Sequence, residues 1–521
     1  MSKLLVTIFV AMIVMIACRS RSPLKADSLA EPVVISQTED GKGMGYPDGR
    51  KLARDSKGNL YVAFRKKFRA GSSLIYHIFV AKSSDGGTSW HLLNNSTPVE
   101  TTGDYTQRVP AIAIDSQDVI HLVWYGLDEA QTGGNEREIK YSRSSDGGTS
   151  WTTWRNLADL DGYSSETLWQ EHPLLHVGPD NTLYVVWQGR DANHLKSQTR
   201  FSRSDDGGNS WRDWVDINPS ETQNFSRPTL VAAGDGTLTL LAYTGVGTDQ
   251  RVVWAQSPDG GDTWESWQPV SSGTADQRHI SIVIDDQDRV HAVWRQPAEG
   301  SSAPTQIHYA VLDGGSWSAP VVVSPSSAYQ FFPSLGLAAN GQLWLTWLET
   351  ASESGYMTNV HQEDPVGNVM VVLLAENGRF YPPQQITANG TAQFPSVGWG
   401  QHHQDNSFGL VWSQTGSSGF DVLYYRLPCN APQAPTLSLA RLIDGLRFFW
   451  SGGGSQSYAV WQSSTLGFAN SLLVGQTREM GLETAVPAST TFYHLQAVSP
   501  CGESAVSANL VGKFDFPLFH Q

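Results

Sequence analysis

Cysteine and charged residues are both scarce in this chain of 521 residues. There are 3 cysteines, and no Cys or His spacing is that of a zinc site, so we expect neither a metal nor another cofactor. Lysine and arginine together number 35 against 50 acidic residues, which gives a formal net charge of -15. Because nucleic-acid binding needs a basic surface, this balance argues against a nucleic-acid partner.

Long hydrophobic runs are also absent, except at the N-terminus. Lys3 precedes the uncharged apolar stretch 4–17, which is too short to span a bilayer as a helix but suits the apolar region of a signal peptide. The stretch continues into Met-Ile-Ala-Cys at 15–18, which resembles a bacterial lipobox. We therefore expect residues 1–18 to be a lipoprotein-type signal peptide with lipidation at Cys18, followed by a polar tether over 19–30. An ordinary secretory signal cleaved near Ala17 is the alternative.

Aromatic residues and turn formers, by contrast, are plentiful, with 19 Trp, 17 Tyr, 19 Phe, 49 Gly and 26 Pro. One unit recurs seven times: an apolar strand, an Asp/Gly turn and a second strand that usually ends in Trp. Copies begin near residues 49, 109, 172, 227, 278, 332 and 394. Such a spacing holds four short strands, which make one blade of a β-propeller. The repeat predicts an all-β fold in which residues 31–428 form a seven-bladed β-propeller.

A second motif follows the third predicted strand of four units. It reads SSDGGTSW at 83–90 and 144–151, SDDGGNSW at 204–211 and SPDGGDTW at 257–264. Its aspartate can accept hydrogen bonds from its own turn, and its glycines permit positive φ. These motifs resemble the Asp boxes of the sialidase-like BNR repeat propellers, and the resemblance covers about residues 31–428. The four aspartates, Asp85, Asp146, Asp206 and Asp259, are therefore expected to hold turns rather than to bind ligand.

The two ends of the propeller can also be predicted. The seventh unit lacks a fourth strand, and the segment PVVIS at 32–36 reads like an outer strand, so the N-terminal strand is expected to close the ring. Residues 429–435 form a linker. Residues 436–521 resemble a fibronectin type III-like β-sandwich, with Trp450 and Tyr493 in its core. Cys429 and Cys501 bracket most of this module, and we expect them to pair in an oxidising compartment.

Arginine is concentrated in the loops that a propeller gathers at one end of its ring. Arginine suits carboxylates and aromatic rings suit sugar faces, so the expected partner is an anionic glycan or glycoconjugate. The alternative is that several of these arginines pair with neighbouring carboxylates and only hold loops. The candidate ligand-binding residues are Arg50, Arg108, Arg190, Arg227, Arg251 and Arg278.

The family resemblance implies roles for three further residues. The segment QRVP at 107–110 is similar to the Arg-Ile-Pro motif that provides the first arginine of sialidases. On that basis Asp128 stands where the acid/base belongs, and Glu171 where the residue that assists a tyrosine nucleophile belongs. The expected position of that tyrosine is not occupied by one, and Tyr329, one blade later, is the nearest candidate. The resemblance implies an exo-sialidase-like glycoside hydrolase.

Two other functions remain open at this point. A polysaccharide lyase would use arginine to neutralise a uronate while His172, His279 or a tyrosine abstracts the α-proton. A non-catalytic surface protein would use the propeller only to bind glycan or protein. In each case we expect a monomer, attached to the bacterial cell envelope by its lipid, with a secreted or periplasmic protein as the alternative.

Overall fold

The computed structural model describes part of each of two compact units, one over Glu31–Cys429 and one that includes Asn430–Gln521. The described residues are 31–39, 41–70, 73–100, 103, 105–128, 137–158, 169–246, 249–272, 276–297, 304–338, 341–351, 365–374, 380, 383–398, 408–427, 436–441, 446–451, 457–463, 472–477, 481–484, 491–499, 502–503 and 511–513. The predicted lipidation site, Cys18, and the predicted disulfide between Cys429 and Cys501 lie outside these residues. In the part of the chain that is described, no helix is long and apolar enough to span a membrane.

The larger unit is a seven-bladed β-propeller, as the repeat predicted. The N-terminal strand is β1 (Val33–Thr38). Blade 1 holds β2 (Leu52–Arg54), β3 (Leu60–Ala70), β4 (Ser73–Ser83) and β5 (His91–Leu92), with a 3-10 turn at Asn94–Ser96. Blade 2 holds β6 (Gln107–Ile114), β7 (Ile120–Gly126), β8 (Glu138–Ser144) and β9 (Arg155–Ala158). Blade 3 holds β10 (Trp169–Val177), β11 (Leu183–Arg190), β12 (Gln198–Ser204) and β13 (Val215–Asp216).

The remaining blades follow the same antiparallel order. Blade 4 holds β14 (Asn224–Ala232), β15 (Leu238–Val246), β16 (Asp249–Ser257) and β17 (Gln268–Pro269). Blade 5 holds β18 (Arg278–Ile284), β19 (Val290–Pro297) and β20 (Thr305–Asp313), and both β21 (Ser316–Trp317) and β22 (Val321–Val322) pair with β20. Blade 6 holds β23 (Tyr329–Leu337), β24 (Leu343–Thr350), β25 (Asn368–Leu373) and β26 (Gln384–Gln385). Blade 7 holds β27 (Ala392–Val397), β28 (Phe408–Gly416) and β29 (Gly419–Leu427).

The first strand closes the ring. β1 pairs antiparallel with β29, from Val33 opposite Tyr424 to Thr38 opposite Phe420, and so becomes the outer strand of blade 7. The last blade is thereby built from both ends of the propeller sequence, as predicted from the PVVIS segment. Pairing of this kind covers the edge that β29 would otherwise expose.

The innermost strands of blades 2 to 7 share a β-bulge that aims one side chain at the ring axis. In each strand the register shifts, and a non-glycine residue has a φ between 46° and 55°. The six bulge residues are Val109, His172, Arg227, His279, Phe332 and Phe394. Positive φ is costly for such residues, so the surrounding ladders must enforce it.

The Asp boxes hold turns, as predicted, and they also join neighbouring blades. In the second box Asp146 accepts hydrogen bonds from the Ser144 hydroxyl (2.7 Å) and from the backbone N–H of Ser150 (3.0 Å). Arg143, in the strand before that box, donates to the carbonyl oxygen of Gly207 in the next box along the chain. Arg203 donates to Gly260 of the fourth box in the same way. A cation just before one box thus holds the following one.

The smaller unit contains two antiparallel sheets. Its strands are β30 (Thr436–Arg441), β31 (Leu446–Ser451), β32 (Ser457–Ser463), β33 (Leu472–Thr477), β34 (Gly481–Thr484), β35 (Thr491–Ser499), β36 (Gly502–Glu503) and β37 (Val511–Lys513). One sheet has the order β30-β31-β34, and the other has β33-β32-β35-β36 with β37 also on β35. Tyr493 is buried and packs on Phe448 at 4.7 Å between ring centroids. Trp450 lies in β31, but its side chain is outside the described part, and the fibronectin type III likeness remains a prediction.

Candidate functional site

The segment 44–51, between β1 and β2, occupies the axis of the ring, and we call it the hub segment. Tyr46 lies in its centre, with ring centroids 5.4 Å from His172, 5.9 Å from Phe332 and 5.1 Å from Phe394. The Arg227 guanidinium lies 4.0 Å above the Tyr46 ring. One tyrosine, Tyr46, therefore contacts side chains from blades 3, 4, 6 and 7, and each of those side chains belongs to a bulge residue.

Other hub residues complete the set of blades. A Cβ on Gly45 would lie 3.1 Å from the Val109 side chain of blade 2. Arg50 donates to the carbonyl oxygens of Ile282 (2.8 Å) in blade 5 and Leu335 in blade 6. One segment of blade 1 thus contacts all six other blades.

The hub segment brings a carboxylate to a buried histidine. Asp48 Oδ2 lies 2.9 Å from His172 Nδ1, and Arg227 donates to both Asp48 oxygens at 3.1 and 2.9 Å. Burial alone would raise the pKa of Asp48, but Arg227 and His172 outweigh it and hold that pKa well below its usual range. Burial and then the charge of Arg227 lower the pKa of His172 to about 4, so this histidine is neutral at pH 7.

Four further residues surround His172 on the side of the loops that precede the inner strands, which we call the mouth. Glu171 is in contact with Arg137, and Glu171 Oε2 lies 3.8 Å from His172 Nε2. The Tyr125 ring lies 5.7 Å from the His172 ring. Burial and the charge of Arg108 both lower the pKa of Arg137, with Tyr125 acting the other way. Arg108, Tyr125, Arg137, Glu171 and His172 therefore form one cluster, which we call the mouth cluster.

A second charged group lies in blades 5 and 6. Arg278 Nε donates to Asp276 at 2.7 Å, and Arg295 Nη2 lies 3.5 Å from the other oxygen of Asp276. Tyr329 is half-buried, with its ring stacked 6.5 Å from that of Phe331. Blade 6 stands three places from blade 3 in the seven-membered ring. Tyr329 and Glu171, which the family resemblance would pair, are thus on opposite sides of the mouth.

The predicted acid/base residue is enclosed. Asp128 is 2% exposed and contacts the ammonium of Lys140, which also bonds Asn156 at 2.8 Å and lies 4.2 Å from the Trp154 ring. The Asp128 carboxylate also accepts a hydrogen bond from the Asn156 amide at 3.2 Å, so it is engaged within the protein rather than open to a ligand. This placement favours a structural role for Asp128.

Blade 3 repeats this arrangement with an arginine. Arg200 donates to Asp191 (2.7 Å) and Asp216 (2.8 Å) and lies 4.5 Å from the Trp214 ring. Asp191, His194 and Asp216 have ligand atoms within 4.8 Å of one another, which is the spacing of a metal site. The Arg200 guanidinium already neutralises both carboxylates, so we interpret Asp191, His194 and Asp216 as part of an ion-pair cluster rather than a metal site.

The other predicted arginines divide into two groups. Arg108 is half-buried in the mouth cluster and makes no hydrogen bond or ion pair within the described residues, and Arg190 stacks on Trp169 at 5.3 Å. Arg251 is exposed in β16 of blade 4. Arg50 and Arg227 are engaged by the hub contacts, and Arg278 by Asp276. The internal-pairing alternative therefore describes Arg50, Arg227 and Arg278.

The repeat positions place Tyr46, Asp48 and Arg137 among the loop residues at this end of the ring but give none of them an individual role, and they do not single out Tyr125. A signal was present for the bulge residues, because each stands one position before the proline or its equivalent in the repeat. No local pattern marks Asp48, whose bond to His172 joins residues 124 positions apart.

Comparison with known proteins agrees with this architecture. Residues 118–349 match the model of the BNR repeat-like domain. The chain contains a BNR repeat-like domain. No curated protein matches the chain in sequence. The match spans β7 to β23 and all but the last residue of β24, so it includes the Asp boxes of blades 2, 3 and 4.

Solved structures resemble this chain to different degrees. An ulvan lyase, described as a new family of polysaccharide lyase, is 11% identical with a TM-score of 0.52, over 75% of this chain and 95% of that one. A protein from Dyadobacter fermentans is 15% identical with a TM-score of 0.45, over 62% and 95%. A Hadza microbial sialidase is 17% identical with a TM-score of 0.43, over 61% and 66%. At these identities the likeness of this BNR repeat-like propeller to them is one of fold.

Proposed function

We propose that this BNR repeat-like propeller acts on an anionic polysaccharide by β-elimination in the mouth cluster. The observation that carries the proposal is a neutral histidine, His172, held by Asp48 at 2.9 Å and packed beside Tyr125 and Glu171. Arg137 contacts Glu171, and Arg108 pairs with Tyr125 in the strand register. Elimination from a uronate needs a base that is unprotonated at neutral pH and a cation that binds the carboxylate. The mouth cluster contains both kinds of group.

The roles follow from the chemistry of the step. Arg108 binds the uronate carboxylate and stabilises the negative charge that spreads onto it when the proton at C5 is removed. His172 takes that proton through Nε2. The bond between C4 and the glycosidic oxygen then breaks, a C4=C5 double bond forms, and the leaving oxygen receives a proton from the Tyr125 hydroxyl. No water is consumed, and the polymer is cut into an unsaturated uronate end and a new hydroxyl end.

The fold comparison supports this class of substrate. The ulvan lyase of similar fold has also been solved bound to -[GlcA(1-4)Rha3S]-, at 11% identity and a TM-score of 0.52. The exo-sialidase-like hydrolase is less well supported, because Asp128 is enclosed with Lys140 and Tyr329 stands across the mouth from Glu171. Tyrosine as nucleophile requires an adjacent carboxylate to assist it.

We further propose the setting in which the enzyme works. The apolar stretch at 4–17 and the lipobox-like ending at Cys18 favour export and a lipid anchor in the bacterial envelope. In that oxidising setting Cys429 and Cys501 would pair and stabilise the C-terminal unit by about 4 kcal/mol. A polymeric substrate outside the cell suits an enzyme attached to its surface.

The test is to incubate the full chain with a panel of acidic polysaccharides and follow ultraviolet absorbance from the new C4=C5 double bond. We expect absorbance to rise with at least one uronate polymer and His172→Gln to abolish the rise. Release of sugar from a fluorogenic sialoside would instead support hydrolysis. Glycan-array binding with no turnover on any polymer would overturn the catalytic proposal in favour of a binding protein.

A further inference from the structure

We propose that Asp48 is a positioning residue that fixes the His172 proton on Nδ1 and leaves the Nε2 lone pair facing the mouth. This inference rests on the proposed function, since it states how the hub segment prepares His172 to accept a proton. Asp48 does not line the mouth cluster itself and acts only through the histidine. The consequence is that a segment of blade 1 controls chemistry in blade 3.

The direction of the hydrogen bond follows from the partners of Asp48. Arg227 donates to both carboxylate oxygens, and the pKa of Asp48 lies well below its usual range, so Asp48 is ionised. An ionised carboxylate can only accept, and the 2.9 Å contact therefore requires the proton to be on His172 Nδ1. In a neutral ring the proton is then absent from Nε2.

Two Asp–His pairs at the opposite end of the propeller have hydrogen-bond partners that differ from those of His172. His121 places Nε2 3.1 Å from Asp115 and Nδ1 2.8 Å from the Tyr141 hydroxyl. His291 uses Asp285 and a tyrosine hydroxyl in the same arrangement, at 3.1 and 2.7 Å. Both ring nitrogens of these histidines are occupied. His172 differs, because the nearest carboxylate oxygen to Nε2 among the described residues is Glu171 Oε2 at 3.8 Å, beyond hydrogen-bond distance.

The hub segment also holds Asp48 rigidly. Next to it, Gly49 is so close to blade 2 that a Cβ there would lie 2.5 Å from the Ala111 side chain. Three residues after Asp48, Lys51 is fully buried and donates to the Pro110 carbonyl oxygen. These two fixed residues, together with Arg227 Nη1, which bonds both oxygens of Asp48, leave the carboxylate little freedom to move. A positioning group needs such support to be effective.

The charges that face His172 come from four elements. The hub segment contributes Asp48 and Lys51, blade 4 contributes Arg227, blade 3 contributes Glu171, and blade 2 contributes Tyr125, Arg108 and Arg137. Burial and the charges of Arg227 and Lys51 disfavour the protonated imidazole, whereas Asp48 favours it. Replacing Asp48 by a neutral residue therefore moves the acid limb of the pH–rate profile to lower pH, because the unprotonated base then persists further into acid.

The experiment compares Asp48→Asn with Asp115→Asn in the full chain. The Asp115→Asn change would disturb a buried Asp–His pair of the same kind at the other end of a blade, so it controls for structural damage. We expect D48N to lower kcat about 100-fold with little change in KM and to move the acid limb of the pH–rate profile to lower pH. We expect D115N to leave kcat and the acid limb unchanged. A D48N enzyme with kcat within threefold of D115N and an unshifted profile would overturn the inference.

A second measurement is independent of turnover and of whether D48N folds. Nitrogen-15 NMR of histidine-labelled wild-type protein reports which ring nitrogen of His172 carries the proton, with His172→Gln used to assign the signal. We expect protonated Nδ1, and protonated Nε2 would refute the positioning role. If the wild type shows the Nδ1 form but cuts no acidic polysaccharide, the inference stands and the proposed function fails.

Discussion

Replacing Arg108 by alanine separates ligand binding from folding more cleanly than any other change in the mouth cluster. Arg108 is half-buried, lies beside Arg137 and makes no hydrogen bond or ion pair in the described part of the chain. Its removal therefore breaks no hydrogen bond or ion pair among the described residues and takes away a positive charge that lowers the pKa of Arg137. We expect the free energy of unfolding to change by no more than about 0.5 kcal/mol.

The effect on binding should be much larger. An arginine–carboxylate contact is a charge-assisted pair, and losing it costs about 1.5–3 kcal/mol, which is about 10- to 150-fold in Kd. The Kd of the Arg108→Lys variant should lie between those of the wild type and Arg108→Ala, because an ammonium keeps the positive charge but not the two parallel hydrogen bonds of a guanidinium. Isothermal titration with an oligouronate, together with urea unfolding of each variant, measures both quantities.

The control is Lys57→Ala, which removes one positive charge at an exposed turn between β2 and β3, at the other end of the blade. It corrects for the general attraction between a cation and an anionic ligand, and titrations at two salt concentrations do the same. A Kd for R108A within twofold of that for K57A would refute the placement of Arg108 in the ligand site.

Three further predictions concern the frame that supports the site. Lys140→Met leaves the Asp128 carboxylate buried without its cation, and we expect it to destabilise the protein by about 3–5 kcal/mol in urea unfolding. Arg143→Ala removes the bond to the Gly207 carbonyl and should lower stability by about 1–2 kcal/mol without changing the Kd for an oligouronate. Burial raises the pKa of Asp146, but hydrogen bonds within its own box outweigh burial and lower that pKa to about 2. The stabilisation by the ionised Asp146 is therefore complete above the ordinary pKa of 3.8 and is lost as pH falls towards 2. Thermal unfolding should therefore show a smaller loss of Tm over that range for Asp146→Asn than for the wild type, and an equal loss would contradict this account.

The hub segment has a consequence for how the site is built. In a propeller the blades contact mainly their neighbours, yet Tyr46 and Arg50 together contact side chains or carbonyl groups from blades 3 to 7. Residues on opposite sides of the ring are therefore held relative to one another through one segment. Precise placement of His172 against Arg108 depends on that segment as much as on the strands that carry them.

Much of the fold could be predicted from the sequence because it is written in local, repeated patterns. Strand alternation, the Asp-box turns and the missing fourth strand of the last unit each depend on residues that are close in the chain. Because the last unit has only three strands of its own, the pairing of β1 with β29 could be predicted. Arg108 could be placed at the mouth for the same reason, since it stands at a fixed point of a repeat. The roles of residues that depend only on their position within a blade were accessible in this way.

Only the tertiary structure determined which charged side chains are in contact with one another. Asp128 has a mouth-loop position in sequence, but Lys140 and Trp154 enclose it, and Asp48 looks like a loop aspartate until the ring brings it to His172, 124 residues away. The free energy of a buried charge is set by the few groups within about 4–6 Å. In a closed ring those groups come from distant blades, so the repeat determines the frame and the ring geometry determines the chemistry.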